Sequence, residues 1–178
     1  MITKKSKLIV HIATDEKFID AAYHIYEKTF PSLYLFIILT QNNDEIKYLN
    51  VDNNYCFVNI YDDFVSVIEE YSSDSRLIVF HGMTYFQADV VSKLNKGSKK
   101  YVWVPFGAEV YNNNFIIKNE SLGQRTYNKF VYSHKKWFKD IFRSAYYLIL
   151  KGKQSPNKAV RNSFRKMDYV TVLFEEEL

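Results

Sequence analysis

The chain has almost no cysteine, few glycines and prolines, and no long apolar run, and each shortage closes off a class of protein. A lone Cys56 cannot build a disulfide scaffold and points to a reducing compartment. Five glycines leave no G-x-G-x-x-G after any candidate strand, so a dinucleotide cofactor is not expected. A Walker loop, a zinc-type Cys/His cluster and a G-x-S-x-G elbow are also missing, which argues against P-loop hydrolysis and zinc chemistry. Neither a cofactor nor a metal is therefore expected. The longest unbroken apolar run, residues 33–39, falls far short of the roughly 20 residues that span a bilayer. The basic start, Met1-Ile2-Thr3-Lys4-Lys5-Ser6-Lys7, leads into no signal-peptide apolar core, and the reading is a cytoplasmic protein.

What is present is packing material. Of 178 residues, 47% are hydrophobic and 17% aromatic, too much apolar side chain for a disordered chain. A chain of this length suits one domain that buries roughly 70% of its unfolded surface. The formal charge of +4 conceals a division along the chain. Residues 125–167 hold twelve Lys and Arg against one acid, Asp140, a net of +11, so the remainder carries −7. Charge separated this far suggests a face that meets an anionic partner, although a solvated helical face has the same signature.

Short apolar runs alternate with helical patterns. Residues 7–12 (KLIVHI), 34–39 (YLFIIL), 77–80 (LIVF), 101–104 (YVWV) and 169–174 (YVTVLF) read as buried strands. Two weaker strands are expected within 46–60, on either side of an Asp-Asn-Asn turn. Between them, Phe18, Ile19, Ala22, Ile25, Tyr26 and Thr29 share one helical face, with Asp15 placed to cap it. Asp62 and Thr84 are placed to cap two further helices. A long amphipathic helix is expected over 133–151, and Ser155-Pro156 opens another to Met167. The expected fold is therefore α/β: a doubly wound, mostly parallel, Rossmann-like sheet with helices on both faces. Ligands of such sheets sit beyond the carboxyl ends of the strands. That rule selects His11, Asp15, His81-Gly82 and Gly107-Ala108-Glu109 as the groups to examine.

On a helical wheel, Trp137, Phe138, Ile141, Phe142, Ala145, Leu148 and Ile149 form one side of the 133–151 helix, most simply a core face. Lys136, Lys139, Arg143, Tyr146, Tyr147 and Leu150 gather opposite. In the next helix Lys158, Arg161 and Arg165 line a face. Cations mixed with interfacial aromatics suit an anionic membrane surface. Nucleic acid would accept the same face, and so would a solvated helix whose long cations lie over apolar surface.

Two motifs carry a resemblance. The step Phe80-His81-Gly82-Met83, followed by Tyr101-Val102-Trp103-Val104-Pro105-Phe106-Gly107-Ala108-Glu109-Val110-Tyr111, resembles the bacterial TDP-N-acetylfucosamine:lipid II N-acetylfucosaminyltransferases. The opening Val10-His11-Ile12-Ala13-Thr14-Asp15 is similar to the first strand and loop of related polysaccharide transferases. Phe106 stands where that family has Trp, and Glu109 where it has Asp. The resemblance implies residues 1–178 as the N-terminal, acceptor-side domain of a two-domain GT-B enzyme, with the C-terminal donor domain absent and the fragment inactive alone. It implies a nucleotide-sugar donor, a lipid-linked glycan acceptor and a place on the inner face of the cell membrane.

An inverting transfer requires a general base, and the ionisable groups at the strand ends offer Asp15, Glu109 and His81. His11, Gly82, Gly107 and Tyr111 would contact substrate, and Lys136, Lys139, Arg143, Tyr146, Tyr147, Lys158, Arg161 and Arg165 would meet the membrane. Asp15 equally fits a helix cap, and His11 a buried core histidine. The alternatives to the enzyme are a nucleic-acid-binding module or a non-catalytic interaction subunit that uses the basic aromatic face; with the membrane reading, no nucleic acid is expected.

Overall fold

The computed structural model describes residues 7–41, 46–106, 134–152 and 155–171. The chain runs β1 (Ile9–Ala13), α1 (Ile19–Thr29), β2 (Tyr34–Thr40), β3 (Tyr55–Asn59), α2 (Phe64–Tyr71), β4 (Leu77–His81), α3 (Tyr85–Lys93), β5 (Lys100–Val104), α4 (His134–Lys151), α5 (Pro156–Phe164) and β6 (Tyr169–Val170). Among these residues six strands form one parallel sheet in the order β3-β2-β1-β4-β5-β6. The expected doubly wound, Rossmann-like α/β architecture is present. Its winding reverses between β1 and β4, where His11 pairs with Val79 and Ile12 with Phe80.

Strand alternation divides the core into two layers. Val10, Ile12, Ile37, Ile78, Phe80, Tyr101 and Trp103 point to one face, where they meet Phe64 and Ile68 of α2, Val90 and Val91 of α3, and Val160 of α5. Ile9, Ala13, Phe36, Ile38 and Val79 point to the other, against Ile19 and Tyr23 of α1 and Leu49. Burial on both faces explains why β1 and β2 read as apolar runs broken only by the buried His11 and Thr40.

Several local expectations are corrected. Residues 46–54 form turns rather than a strand, leaving β3 alone in that region. The cap of α2 is Asp63, whose carboxylate accepts from Ser66 N, not Asp62. Asp15 does not cap α1; Phe18 occupies that position and offers no side-chain acceptor. Thr84 does cap α3, in a reciprocal box with Gln87. Ser155 is the N-cap and Pro156 opens α5, which ends at Phe164 rather than at Met167. Of the expected last strand, Tyr169 and Val170 pair with β5, and 172–174 lie outside the described residues.

Candidate functional site

The carboxyl edge between β1 and β4 is closed by side chains of the fold itself. The imidazoles of His11 and His81 share a hydrogen bond, Nδ1 to Nε2 at 2.9 Å. His11 is fully buried, stacked on Phe36 with ring centroids 4.1 Å apart and edge-on to Tyr26. Burial, and then the neighbouring His81, hold His11 well below the usual histidine range; burial lowers His81 to about 4. Both rings are therefore neutral at pH 7, and His11 Nε2 has no hydrogen-bond partner among the described residues. Above them the buried Gln87 carboxamide donates to Ile12 O (3.1 Å) and His81 O (2.7 Å), tying the two strand ends together. Gly82, at φ 74°, turns the chain out of β4, and its N–H donates to Val104 O at 2.8 Å.

Asp15 is also engaged by the fold. Its carboxylate accepts from three successive backbone N–H groups, Lys47 (2.6 Å), Tyr48 (2.9 Å) and Leu49 (3.1 Å). Asp20 repeats the device, accepting from Asn50 N, Asn53 Nδ2 and Tyr55 Oη. The described part of the β2–β3 connection, residues 46–54, is held by these two acids rather than by helical hydrogen bonds. Helical periodicity could not reveal that role, because the partners lie some thirty residues away. Gly107, Glu109 and Tyr111 lie outside the described residues. The structure thus brings His11, His81 and Gly82 together within the sheet edge and assigns Asp15 to a loop.

The basic helices present a different surface. The first half of α4, with Lys136 and Lys139, lies outside the residues whose side chains are described. In the second half, Leu148, Ile149 and Leu150 are 62%, 77% and 71% exposed, and Phe142, Ala145 and Tyr146 are exposed with them. The described members of the apolar stripe therefore face outward, which corrects the expectation that the stripe is core. Arg143 and Lys151 flank these side chains, with Lys151 Nζ over the half-buried Tyr147 ring. On α5, Lys158 and Arg165 are exposed and Arg161 is half-buried. Sequence pattern identified which residues share a face of α4; it carried no signal for what that face meets.

Helices α3 and α5 lie side by side, joined where Ser163 Oγ donates to Ala88 O (3.3 Å) and Lys166 Nζ to Val91 O and Ser92 O (both 3.3 Å). Between them is an open cavity of about 550 Å³, lined by Tyr85, Lys93, Asn162, Arg165 and Lys166 among others. Among the described residues, no group of three or more His, Cys, Asp or Glu is arranged to hold a metal ion. No described helix is long and apolar enough to cross a membrane.

Comparisons with known proteins give little kinship. No family model matches the chain, and no curated protein matches it. Among solved structures, a wide-type short-chain dehydrogenase/reductase from Veillonella parvula DSM 2008, in complex with NADP, is similar at a TM-score of 0.41 and 10% identity. The match covers 91% of this chain and 67% of that one. The expected N-acetylfucosaminyltransferase assignment is overturned by these findings, and with it the reading as a glycosyltransferase domain; the nucleic-acid and interaction-subunit alternatives gain no support either. The physical reason is visible in the motif. The Phe-His-Gly step is built into the sheet, where His81 meets His11 and the Gly82 N–H is taken by Val104, so a fold alone can require it.

Proposed function

We propose that the chain is a peripheral membrane-docking module that seats α4 in the interfacial layer of an anionic leaflet. The observation that supports it is the apolar stripe Phe142, Leu148 and Ile149, largely exposed on a helix that also carries Arg143 and Lys151. Each large aliphatic side chain left in water forgoes roughly 1.5–3 kcal/mol of burial. An amphipathic helix lying in the headgroup zone recovers that energy, and each Lys or Arg near anionic lipid adds about 1 kcal/mol. The net +11 of residues 125–167 supports an anionic surface rather than a neutral one. A protein that binds in this way lies on the membrane without crossing it, and a cytoplasmic leaflet has the required charge.

Vesicle flotation tests the reading. The full chain should float with phosphatidylcholine vesicles containing phosphatidylglycerol and remain behind with phosphatidylcholine alone. Raising the salt from about 0.1 M to 1 M shortens the screening length from ~10 to ~3 Å and should release most of it. Equal flotation with neutral vesicles, or none with anionic ones, overturns the proposal. So does a stable dimer whose formation is abolished by Ile149→Asp, because the helix face would then be occupied by a second copy.

A further inference from the structure

The cavity between α3 and α5 takes part in neither the sheet-edge network nor the exposed face of α4. Its volume, about 550 Å³, falls within the range of small-molecule sites. Its walls carry three cations, Lys93, Arg165 and Lys166, against one acid, Asp89, a net of +2. Two of the cations are positioned by the fold. Lys93 Nζ is held by Asp89 at 2.7 Å, and Lys166 Nζ is anchored on the last carbonyls of α3. Arg165, just beyond the end of α5, is exposed, with a planar guanidinium suited to bidentate contact with phosphate. Asn162 and the Tyr85 hydroxyl complete a polar rim.

We propose that this cavity binds a phosphomonoester, whose two negative charges match the surplus of the walls. Arg165 and Lys93 would meet the phosphate oxygens, with Lys166 supplying charge from the α3 carbonyls. Burial, with Asp89 adding to it, raises the Tyr85 hydroxyl above its ordinary pKa, so it stays protonated and able to donate. The phosphomonoester can come from a lipid headgroup or from a soluble metabolite, since both present the same group. The site does not depend on the membrane docking of α4.

The test uses the full chain with two probes. Titration calorimetry with glycerol 3-phosphate addresses the soluble source. Flotation with phosphatidic acid vesicles, compared with phosphatidylglycerol vesicles of equal total charge, addresses the lipid source. Saturable binding of glycerol 3-phosphate assigns a soluble ligand, and a selective gain with phosphatidic acid assigns a headgroup; each supports the proposal. In whichever assay responds, Arg165→Gln should weaken binding about tenfold and Asp89→Asn should strengthen it several-fold. Opposite signs from two wall residues separate a charge-reading site from a general disturbance of the fold. Ile149→Asp should leave glycerol 3-phosphate binding unchanged, so failure of the docking proposal stays distinct from failure of this one. Absence of both responses overturns the phosphomonoester site, as does an identical effect of the two wall substitutions.

Discussion

Helices α1 and α4 have similar amphipathic patterns and opposite fates. In α1 the apolar stripe meets the sheet: Ile19 and Tyr23 are buried, and Tyr23 contacts the rings of Tyr34, Phe36 and Tyr55. In the second half of α4 the described apolar side chains face solvent beside cations. Even α1 is imperfect, since Phe18 and Ile25 share its expected inner face and remain 68% and 62% exposed. The two helices teach that periodicity orders side chains around an axis without saying what the ordered face will touch. Around α1 the answer comes from aromatic contacts and from Asp20, which reaches across to Asn50, Asn53 and Tyr55. Around α4 the proposed answer is charge, since Arg143 and Lys151 stand on the same helix as the exposed apolar side chains.

Substitutions can break this contrast, and the largest effect belongs to the core beneath α1. Phe36→Ala removes a fully buried ring that stacks on His11 and touches Tyr23 and Tyr26. It should cost about 3–5 kcal/mol in denaturant unfolding. The matching change on α4, Ile149→Ser, should shift stability by less than about 0.5 kcal/mol, because an exposed side chain has no cavity to leave. A loss of stability at Ile149 comparable to that at Phe36 would mean that the α4 face is packed in solution.

Acid comes next. Both histidines of the buried pair have folded-state pKa values below the unfolded 6.5, with His81 at about 4. Below pH 6.5 the unfolded chain therefore binds protons that the folded chain refuses. Stability is fully present above pH 6.5 and falls as the pH drops toward 4, by on the order of 3 kcal/mol from His81 alone. Unfolding midpoints measured across pH 4–7 should show this slope, and His81→Asn should flatten it. A smaller effect than either core change is local. Asp15→Ala strands the N–H groups of Lys47, Tyr48 and Leu49 and should cost about 1–2 kcal/mol. It should also speed hydrogen exchange at those three amides while leaving β1 protected.

Much of the sheet is legible in the sequence because strands buried on both faces have an unmistakable composition: residues 34–39 contain no polar side chain beyond a tyrosine hydroxyl. The cap at Thr84 is legible for a similar reason, since Gln87 lies three residues on and the box is local. What fails is everything that depends on distant partners. Asp15 looks like a cap from its neighbours and acts instead on residues 47–49. His81 reads as an ionisable strand-end group and a candidate base, and is paired with His11, seventy residues earlier. The stripe of α4 reads as core because sequence shows its apolarity without showing what lies across from it.

The central claim, that the exposed face of α4 enters an anionic bilayer, is tested most directly by depth. In a Cys56→Ala background, a single cysteine replaces either Ile149 or Ile25, both largely exposed in the protein, and carries an environment-sensitive fluorophore. On adding phosphatidylglycerol vesicles, the probe at 149 should shift to the blue and become shielded from an aqueous quencher, while the probe at 25 stays unchanged. An unshifted probe at 149, or equal shifts at both positions, would contradict the account.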